Sequence, residues 1–248
     1  MAYRAVLFDL FDTLVRFDRD RLPTTEIGGR LVRTTARHLH DVLREHAPDV
    51  TLETFYAGLQ ESWREAERLR AVDHREVTAP QRFSHLLRCC GLDPGGVPSA
   101  LVTRMLDAHR RELSKAAEFP AHHARLLADL ARRYRLAVVS NFDYTPTALG
   151  LLETAGVVDL FRTIVVSDEI GWRKPAPPIF DEALRRVGVA PEEALFVGDR
   201  ADIDVIGAQQ AGMHAVWINP DRAPLPAGID PPEFEIRDLD ELRAILPA

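Results

Sequence analysis

Cysteine, long apolar runs and an excess of positive charge are the features that this sequence lacks or has little of. Its only cysteines, Cys89 and Cys90, are adjacent, so they have neither metal-ligand spacing nor the geometry of a structural disulfide. This scarcity favours a reducing compartment, and we expect a cytoplasmic protein. No apolar run approaches the ~20 residues needed to span a bilayer, and no basic signal segment opens the chain. A net charge of −7 argues against nucleic acid or an acidic membrane as a partner.

The sequence does contain an alternation of apolar strands and amphipathic helices, which is interrupted once. From about residue 119 onward, apolar runs alternate with helical segments across short loops, a pattern typical of a parallel sheet covered by helices on both faces. The run Ala5 to Phe8 is a strand of the same type, but residues 17–118 separate it from the others. We therefore predict an α/β core formed by residues 1–16 and 119–248, with a cap inserted at residues 17–118.

The inserted segment shows helical periodicity in four successive stretches, with no strand pattern between them. The first stretch is marked by Leu31, Thr35, Leu39, Val42 and His46. Four amphipathic helices in a row predict a small helical bundle.

Polar residues follow several of the predicted core strands: Asp9, Ser140, Asn141, Lys174 and Asp199. Because parallel strands bring their carboxyl ends to one edge of a sheet, we expect these side chains to converge. Two aspartates can share Mg²⁺, a serine hydroxyl can donate to a phosphate oxygen, and a lysine supplies positive charge. An aspartate beside such a cation can attack phosphorus and form an aspartyl-phosphate. Each residue alone also fits a helix cap or a solvated surface, so the combination carries the prediction.

Four segments of the chain, in order and spacing, resemble the motifs of the haloacid dehalogenase-like (HAD) hydrolase superfamily. They are Phe8-Asp9-Leu10-Phe11-Asp12-Thr13-Leu14, Val139-Ser140-Asn141, Arg173-Lys174-Pro175 with Pro178-Ile179-Phe180, and Val197-Gly198-Asp199 with Asp204 and Gly207-Ala208. The position of the inserted cap resembles the C1-cap subgroup, of the subfamily IA type. The resemblance implies a Rossmann-like, doubly wound parallel sheet, a Mg²⁺ cofactor and hydrolysis of a small phosphorylated metabolite.

The resemblance also implies a role for each matching residue. Asp9 corresponds to the nucleophile, Ser140 to the phosphate donor, Lys174 to the residue that neutralises phosphate charge, and Asp199 to a metal ligand. The remaining implied roles are metal ligation by the Phe11 backbone carbonyl, supporting or water-mediated metal ligation by Asp204, and phosphate contact by Asn141.

One position departs from the pattern of the family's phosphatases. These carry a second aspartate two residues after the nucleophile, as an acid and base, where this chain has Phe11. Asp12 is adjacent, but neighbouring residues on an extended segment point to opposite sides. Three hypotheses follow. The first is a Mg²⁺-dependent phosphatase that is slow on alkyl esters, or suited to acyl or aryl phosphates, whose leaving groups need no proton. The others are a metal-independent 2-haloacid dehalogenase and a protein that binds a phosphate compound or partner with little turnover. The acidic pair Asp199 and Asp204 favours Mg²⁺ and phosphate, because carboxylates facing Asp9 without a cation would repel one another.

The cap and the start of the second core segment offer two further candidates. Within the polar loop at residues 73–78, Arg75 is a candidate anion contact, although a solvated charged loop is the simpler explanation. The pair His122 and His123 is interpreted as the exposed start of a helix.

Overall fold

The structure is a computed structural model, and it describes residues 3–246. The chain divides into two compact units. The first runs from the start of the chain to Arg16 and resumes at Phe119, and the second comprises Phe17 to Glu118. Within residues 3–246, no helix is both long enough and apolar enough to cross a membrane.

The first unit is built on a six-stranded sheet in which the paired strands are parallel. The strands are β1 (Ala5–Phe8), β6 (Arg135–Ser140), β7 (Phe161–Val166), β8 (Ala194–Gly198), β9 (His214–Ile218) and β10 (Phe234–Ile236). Their order in the sheet is β10-β9-β8-β1-β6-β7. The chain extends the sheet on one side of β1 with β6 and β7, then crosses back and builds β8, β9 and β10 on the other side. The strand order therefore reverses at β1, where open α/β sheets form their binding crevices.

Helices flank this sheet, as the sequence predicts, and the α/β fold class is confirmed. They are α5 (Ala121–Leu130), α6 (Thr145–Thr154), α7 (Ser167–Ile170), α8 (Pro177–Val187), α9 (Ile206–Gln210) and α10 (Leu242–Ile245). Helix α8 shows the local signals clearly: prolines open it, and Gly188 closes it in a left-handed conformation at φ +74°. Its apolar face, including Ile179, Phe180 and Ala183, packs into a fully buried core with strand residues such as Leu7 and Phe196.

The second unit contains four helices and a β-hairpin. The helices are α1 (Ala36–Leu43), α2 (Leu52–Asp73), α3 (Ala79–Cys89) and α4 (Ser99–Ala116). The hairpin strands are β3 (Thr24–Ile27) and β4 (Arg30–Arg33). Two further strands of two residues each, β2 (Arg16–Phe17) and β5 (Ala117–Glu118), lie where the units join in sequence. Local capping is visible at α3, where Thr78 and Gln81 form a reciprocal capping box. Helix α2 packs against α3, and α1 against α4.

The expectation of helices alone in the inserted segment is wrong. Leu31, predicted on the first helix, lies in β4 and is 75% exposed, and the helix begins only at Ala36. The strands β3 and β4 pair in an antiparallel register across Gly28-Gly29, both with positive φ. The sequence signal for this hairpin is the two-residue Gly-Gly turn, which follows a segment rich in β-branched residues, Thr24, Thr25 and Ile27.

Candidate active site

Three neighbouring strands deliver the predicted site residues to one edge of the sheet. Asp9 follows β1 directly, Ser140 ends β6 on one side, and Asp199 follows β8 on the other. The backbone N–H of Asp9 still donates to the carbonyl of Val197 in β8, at 2.9 Å, so the start of this segment is held by the sheet ladder. The reversal of strand order at β1 is therefore the physical reason that these groups meet.

Lys174 reaches this edge from the segment between α7 and α8. Its Nζ lies 2.6 Å from Asp9 Oδ1 and 2.8 Å from Asp204 Oδ1, and the side chain is almost completely buried. Burial alone would lower the pKa of Lys174, but the contacts with Asp204 and Asp9 outweigh it and raise that pKa above its usual range. The lysine is therefore a fixed, buried positive charge beside Asp9.

The carboxylates of Asp9, Asp199 and Asp204 form a cluster in which one oxygen from each lies within 4.8 Å of the others. Burial is the largest cause that raises the pKa of Asp9, to about 6, with a further rise from Asp204 and an opposing effect of Lys174. Burial, followed by the charges of Asp9 and Asp204, raises the pKa of Asp199 to about 7. One lysine does not neutralise three carboxylates. Because hard oxygen donors in this number suit Mg²⁺, the donor set fits the magnesium ion that the sequence resemblance implies.

Asp204 is held in place by its own backbone turn and by a glycine. Residues Ala201–Val205 form a single π-helical turn, and Asp204 Oδ2 accepts a hydrogen bond from the backbone N–H of Arg200 at 3.0 Å. A Cβ atom on Gly198 would lie 2.3 Å from Asp204 Oδ2, so only glycine permits this close approach. Both oxygens of Asp204 thus have protein partners. Metal ligation by Asp204 stays a prediction, and its contact with Lys174 is an addition to the sequence prediction.

Ser140 and Asn141 have different surroundings, although they are adjacent. Ser140 is 1% exposed, and its Oγ has no hydrogen-bond partner among the described residues. A buried hydroxyl without a partner is rare, and it is consistent with a donor reserved for a ligand. The Asn141 amide instead contacts the backbone of Lys174 twice: Nδ2 donates to the carbonyl at 2.9 Å, and the N–H donates to Oδ1 at 2.7 Å. Asn141 therefore positions the lysine, and its contact with phosphate stays a prediction.

Phe11, where family phosphatases carry an aspartate, lies in a tight turn after Asp9. Its ring packs on that of Phe142, with centroids 4.9 Å apart and planes inclined by 32°. The extended geometry assumed for Asp12 is wrong: this residue has φ +59°, and its N–H donates to the carbonyl of Val15 at 2.6 Å. The charge of Asp12 also contributes to the raised pKa of Asp199, so Asp12 acts electrostatically on the cluster. Metal ligation by the Phe11 carbonyl stays a prediction.

Arg75 belongs to the second unit and follows helix α2. Its side chain is largely exposed, and its backbone N–H donates to Asp73 Oδ1 at 3.1 Å. Its predicted contact with an anion stays a prediction.

Three contributors to the site were not predicted as such: Phe142, Trp217 and the Asn141 amide as a support for Lys174. Phe142 follows Ser140 by two residues, as Phe11 follows Asp9, and this repeated spacing at adjacent strand ends is a sequence signal. Trp217 in β9 donates from Nε1 to the Asp199 carbonyl at 2.8 Å and so holds the loop that carries Asp199. No local signal identifies the Asn141 contacts, which span 33 positions of the chain.

Comparison with known proteins agrees with this architecture. The model of the haloacid dehalogenase-like hydrolase family matches residues 3–212. A glyceraldehyde 3-phosphate phosphatase of Methanopyrus kandleri is 32% identical over 215 residues, which cover 87% of this chain and 83% of the relative.

Solved structures extend the comparison to nearly the whole chain. A 2-haloacid dehalogenase from Pseudomonas syringae is 28% identical, with a TM-score of 0.71 over 98% of both chains. A magnesium-bound structure of the HAD-hydrolase YfnB from Bacillus subtilis is 25% identical, with a TM-score of 0.62 over the full length of both. The chain belongs to the haloacid dehalogenase-like hydrolases, and it is an enzyme of that family.

Proposed function

We propose that this protein is a Mg²⁺-dependent phosphatase that hydrolyses a small phosphorylated metabolite through an aspartyl-phosphate on Asp9. The observation that carries the proposal is the joint placement of a buried lysine and three carboxylates around one point, with an unpartnered serine hydroxyl at the end of the adjacent strand. Similarity to a glyceraldehyde 3-phosphate phosphatase supports a phosphate monoester as substrate. The magnesium-bound YfnB structure supports the choice of cation.

In this mechanism each residue has a separate task. A carboxylate oxygen of Asp9 bonds to phosphorus while the bond from phosphorus to the leaving-group oxygen breaks. Lys174 and the Ser140 hydroxyl bind the phosphoryl oxygens and stabilise the charge that they carry in the transition state. Asp9, Asp199, Asp204 and the Phe11 carbonyl would hold Mg²⁺, which when bound adds positive charge at the phosphoryl group. Water then attacks phosphorus, and inorganic phosphate leaves from Asp9.

Phe11 determines which leaving groups the enzyme can expel. No carboxylic acid stands at this position to protonate an alkoxide, and such general-acid help is typically worth ~10²–10⁴-fold in rate. The rings of Phe11 and Phe142 present an apolar surface in its place. We therefore propose that acyl and aryl phosphates, whose leaving groups depart as stable anions, react faster than alkyl phosphates.

A second candidate function is that of a 2-haloacid dehalogenase with Asp9 as the nucleophile and no metal. The apolar position of Phe11 favours it, because a halide needs no proton to leave. The similarity to the Pseudomonas syringae dehalogenase also favours it. The cluster of Asp9, Asp199 and Asp204 disfavours it, because three carboxylates around a single lysine need a further cation.

A substrate panel tests the two candidates directly. Acetyl phosphate, p-nitrophenyl phosphate, glyceraldehyde 3-phosphate and 2-chloropropionate are incubated with the protein in Mg²⁺ and in EDTA. We expect phosphate release in Mg²⁺ only. Asp9→Asn should abolish it, whereas Asp202→Asn, which changes an exposed aspartate in the turn after β8, should not. Halide release that is insensitive to EDTA would establish the dehalogenase instead. Magnesium binding without turnover of any substrate would indicate a binding protein.

The remaining proposals concern the setting of the enzyme. We place it in the cytoplasm, because the chain contains only two cysteines and both are free thiols. Its partner is a small phosphorylated molecule, and the net charge of −7 argues against a nucleic acid or an anionic membrane surface.

A further inference from the structure

A second group of metal-ligating side chains lies in the first unit, in residues with no role in the proposed reaction. His122 and His123 lie in the first turn of helix α5, and Asp238 directly precedes the 3₁₀ turn Leu239–Glu241. One ligand atom from each of the three lies within 4.8 Å of the others. The two imidazole rings are 4.4 Å apart, and His122 Nε2 is 3.7 Å from Asp238 Oδ1.

The hydrogen bonds of His123 prepare it to bind a metal. Its Nδ1 lies 2.9 Å from the carbonyl oxygen of Leu14. Because a carbonyl can only accept, Nδ1 carries the proton and Nε2 carries the lone pair. A histidine whose other ring nitrogen donates to a backbone carbonyl is the usual arrangement in protein metal sites.

His122 and Asp238 complete the donor set. His122 packs edge-on against the His123 ring and forms a long ion pair with Asp238, and its side chain is partly exposed. Asp238 accepts a hydrogen bond from the Asp240 N–H at 3.0 Å through Oδ1, which fixes the orientation of the carboxylate. In a tetrahedral site with bonds of about 2.1 Å, the ligand atoms lie roughly 3.4 Å apart. The side chains of His122, His123 and Asp238 would therefore move by about 1 Å to bind one ion.

We propose that His122, His123 and Asp238 form a second metal site, selective for a borderline divalent ion such as Zn²⁺. Two imidazoles and one carboxylate favour zinc over magnesium, whereas the oxygen-only cluster around Asp9 has the opposite preference. A water molecule would fill the fourth position. The bound ion would link the start of α5 to the segment before α10, which lie about 115 positions apart in the chain. Such a link would stabilise the folded first unit.

Zinc binding to the full chain without an affinity tag tests the proposal. The parent protein for this test carries Asp199→Asn, which weakens zinc binding by the cluster around Asp9. It also carries Cys89→Ser and Cys90→Ser, which remove the two thiols that could bind zinc. We expect one equivalent of Zn²⁺ per chain by calorimetry in excess Mg²⁺, and a rise of several degrees in Tm, since a ligand that binds only the folded state stabilises it. Loss of an outer-shell partner alone costs about 10–100-fold in metal affinity, so loss of a ligand should cost at least that much.

The variants separate ligation from structural effects. His122→Gln removes a ring that has no structural hydrogen bond, and Asp238→Asn keeps an acceptor for Asp240 while removing the charge. We expect both to weaken zinc binding at least 10-fold with an unchanged Tm in EDTA, and His46→Gln, an exposed histidine of the other unit, to bind as the parent does. Equal affinity in parent and His122→Gln, or no zinc binding in the parent, would overturn the proposal. Neither result would bear on phosphate release, which is measured separately.

Discussion

Replacing Asp199 by asparagine should stabilise the metal-free protein while destroying its response to magnesium. In the structure, burial and the charges of Asp9 and Asp204 raise the pKa of Asp199 to about 7, from the usual 3.8. The unfolded chain therefore releases this proton near pH 4, whereas the folded protein keeps it until about pH 7. The stability contributed by the protonated group is fully present below pH 4 and is lost as the pH rises through 7.

The magnitude follows from that difference in pKa. A change from 3.8 to about 7 corresponds to roughly 4 kcal/mol of folding free energy at neutral pH, at about 1.36 kcal/mol for each tenfold change in the proton affinity. Asp199 is partly exposed, and solvent screening reduces the expected gain in Asp199→Asn to about 2 kcal/mol. For a protein of this size, this gain raises Tm by about 4–8 °C.

The assay is thermal unfolding between pH 4 and pH 8 in EDTA and in Mg²⁺. We expect Asp199→Asn to unfold at a higher temperature than wild type at pH 7.5 in EDTA, with a difference that narrows toward pH 4. Magnesium should raise the Tm of wild type but not that of the variant. At a concentration 100 times Kd, it should add about 2.7 kcal/mol to the free energy of unfolding of wild type. Asp202→Asn is the matched control. Arg200 lowers the pKa of Asp202, so this substitution should leave stability unchanged or reduce it at pH 7.5.

Two results would refute this reasoning. The first is an Asp199→Asn protein no more stable than wild type in EDTA at pH 7.5. The second is a stabilisation that is the same at pH 4 and pH 7.5, because a gain without pH dependence cannot come from the ionisation of this carboxyl.

Three further substitutions test the other supports of the site. Phe11→Asp should increase the turnover of alkyl phosphates by about 10²-fold or more and that of acetyl phosphate much less, as steady-state kinetics will show; an equal change for both substrates would contradict the role of Phe11. Asn141→Ala leaves two backbone groups of Lys174 unpaired, so kcat should fall while the magnesium affinity, measured by calorimetry, stays the same. An unchanged kcat would contradict the role of Asn141 in positioning Lys174. Gly198→Ala places a Cβ 2.3 Å from Asp204 Oδ2, so it should lower the free energy of unfolding, measured with denaturant, by about 1–3 kcal/mol and weaken magnesium binding. The control Gly96→Ala, which has no atom within 4 Å of the added Cβ, should have neither effect.

The sequence by itself determined the elements of the core and the edge of the sheet where chemistry takes place. Apolar runs such as Ala5 to Phe8 are strands because they can be buried on both faces, and Gly188 ends α8 because glycine adopts a positive φ at no cost. Both are properties of a few adjacent residues. The β-hairpin around Gly28-Gly29 is equally local, but the helical spacing of Leu31, Thr35 and Leu39 predicts a helix over part of it.

Only the tertiary structure decided which side chains touch one another. Lys174 pairs with Asp9 across 165 positions of the chain, and no periodicity encodes that contact. The double hydrogen bond of Asn141 to the Lys174 backbone and the approach of Asp204 over Gly198 likewise follow from the packing of separate elements. Residue types along the chain thus predict the chemistry available at a strand end, whereas distances and protonation states depend on burial, which exists only once the sheet and its helices have assembled.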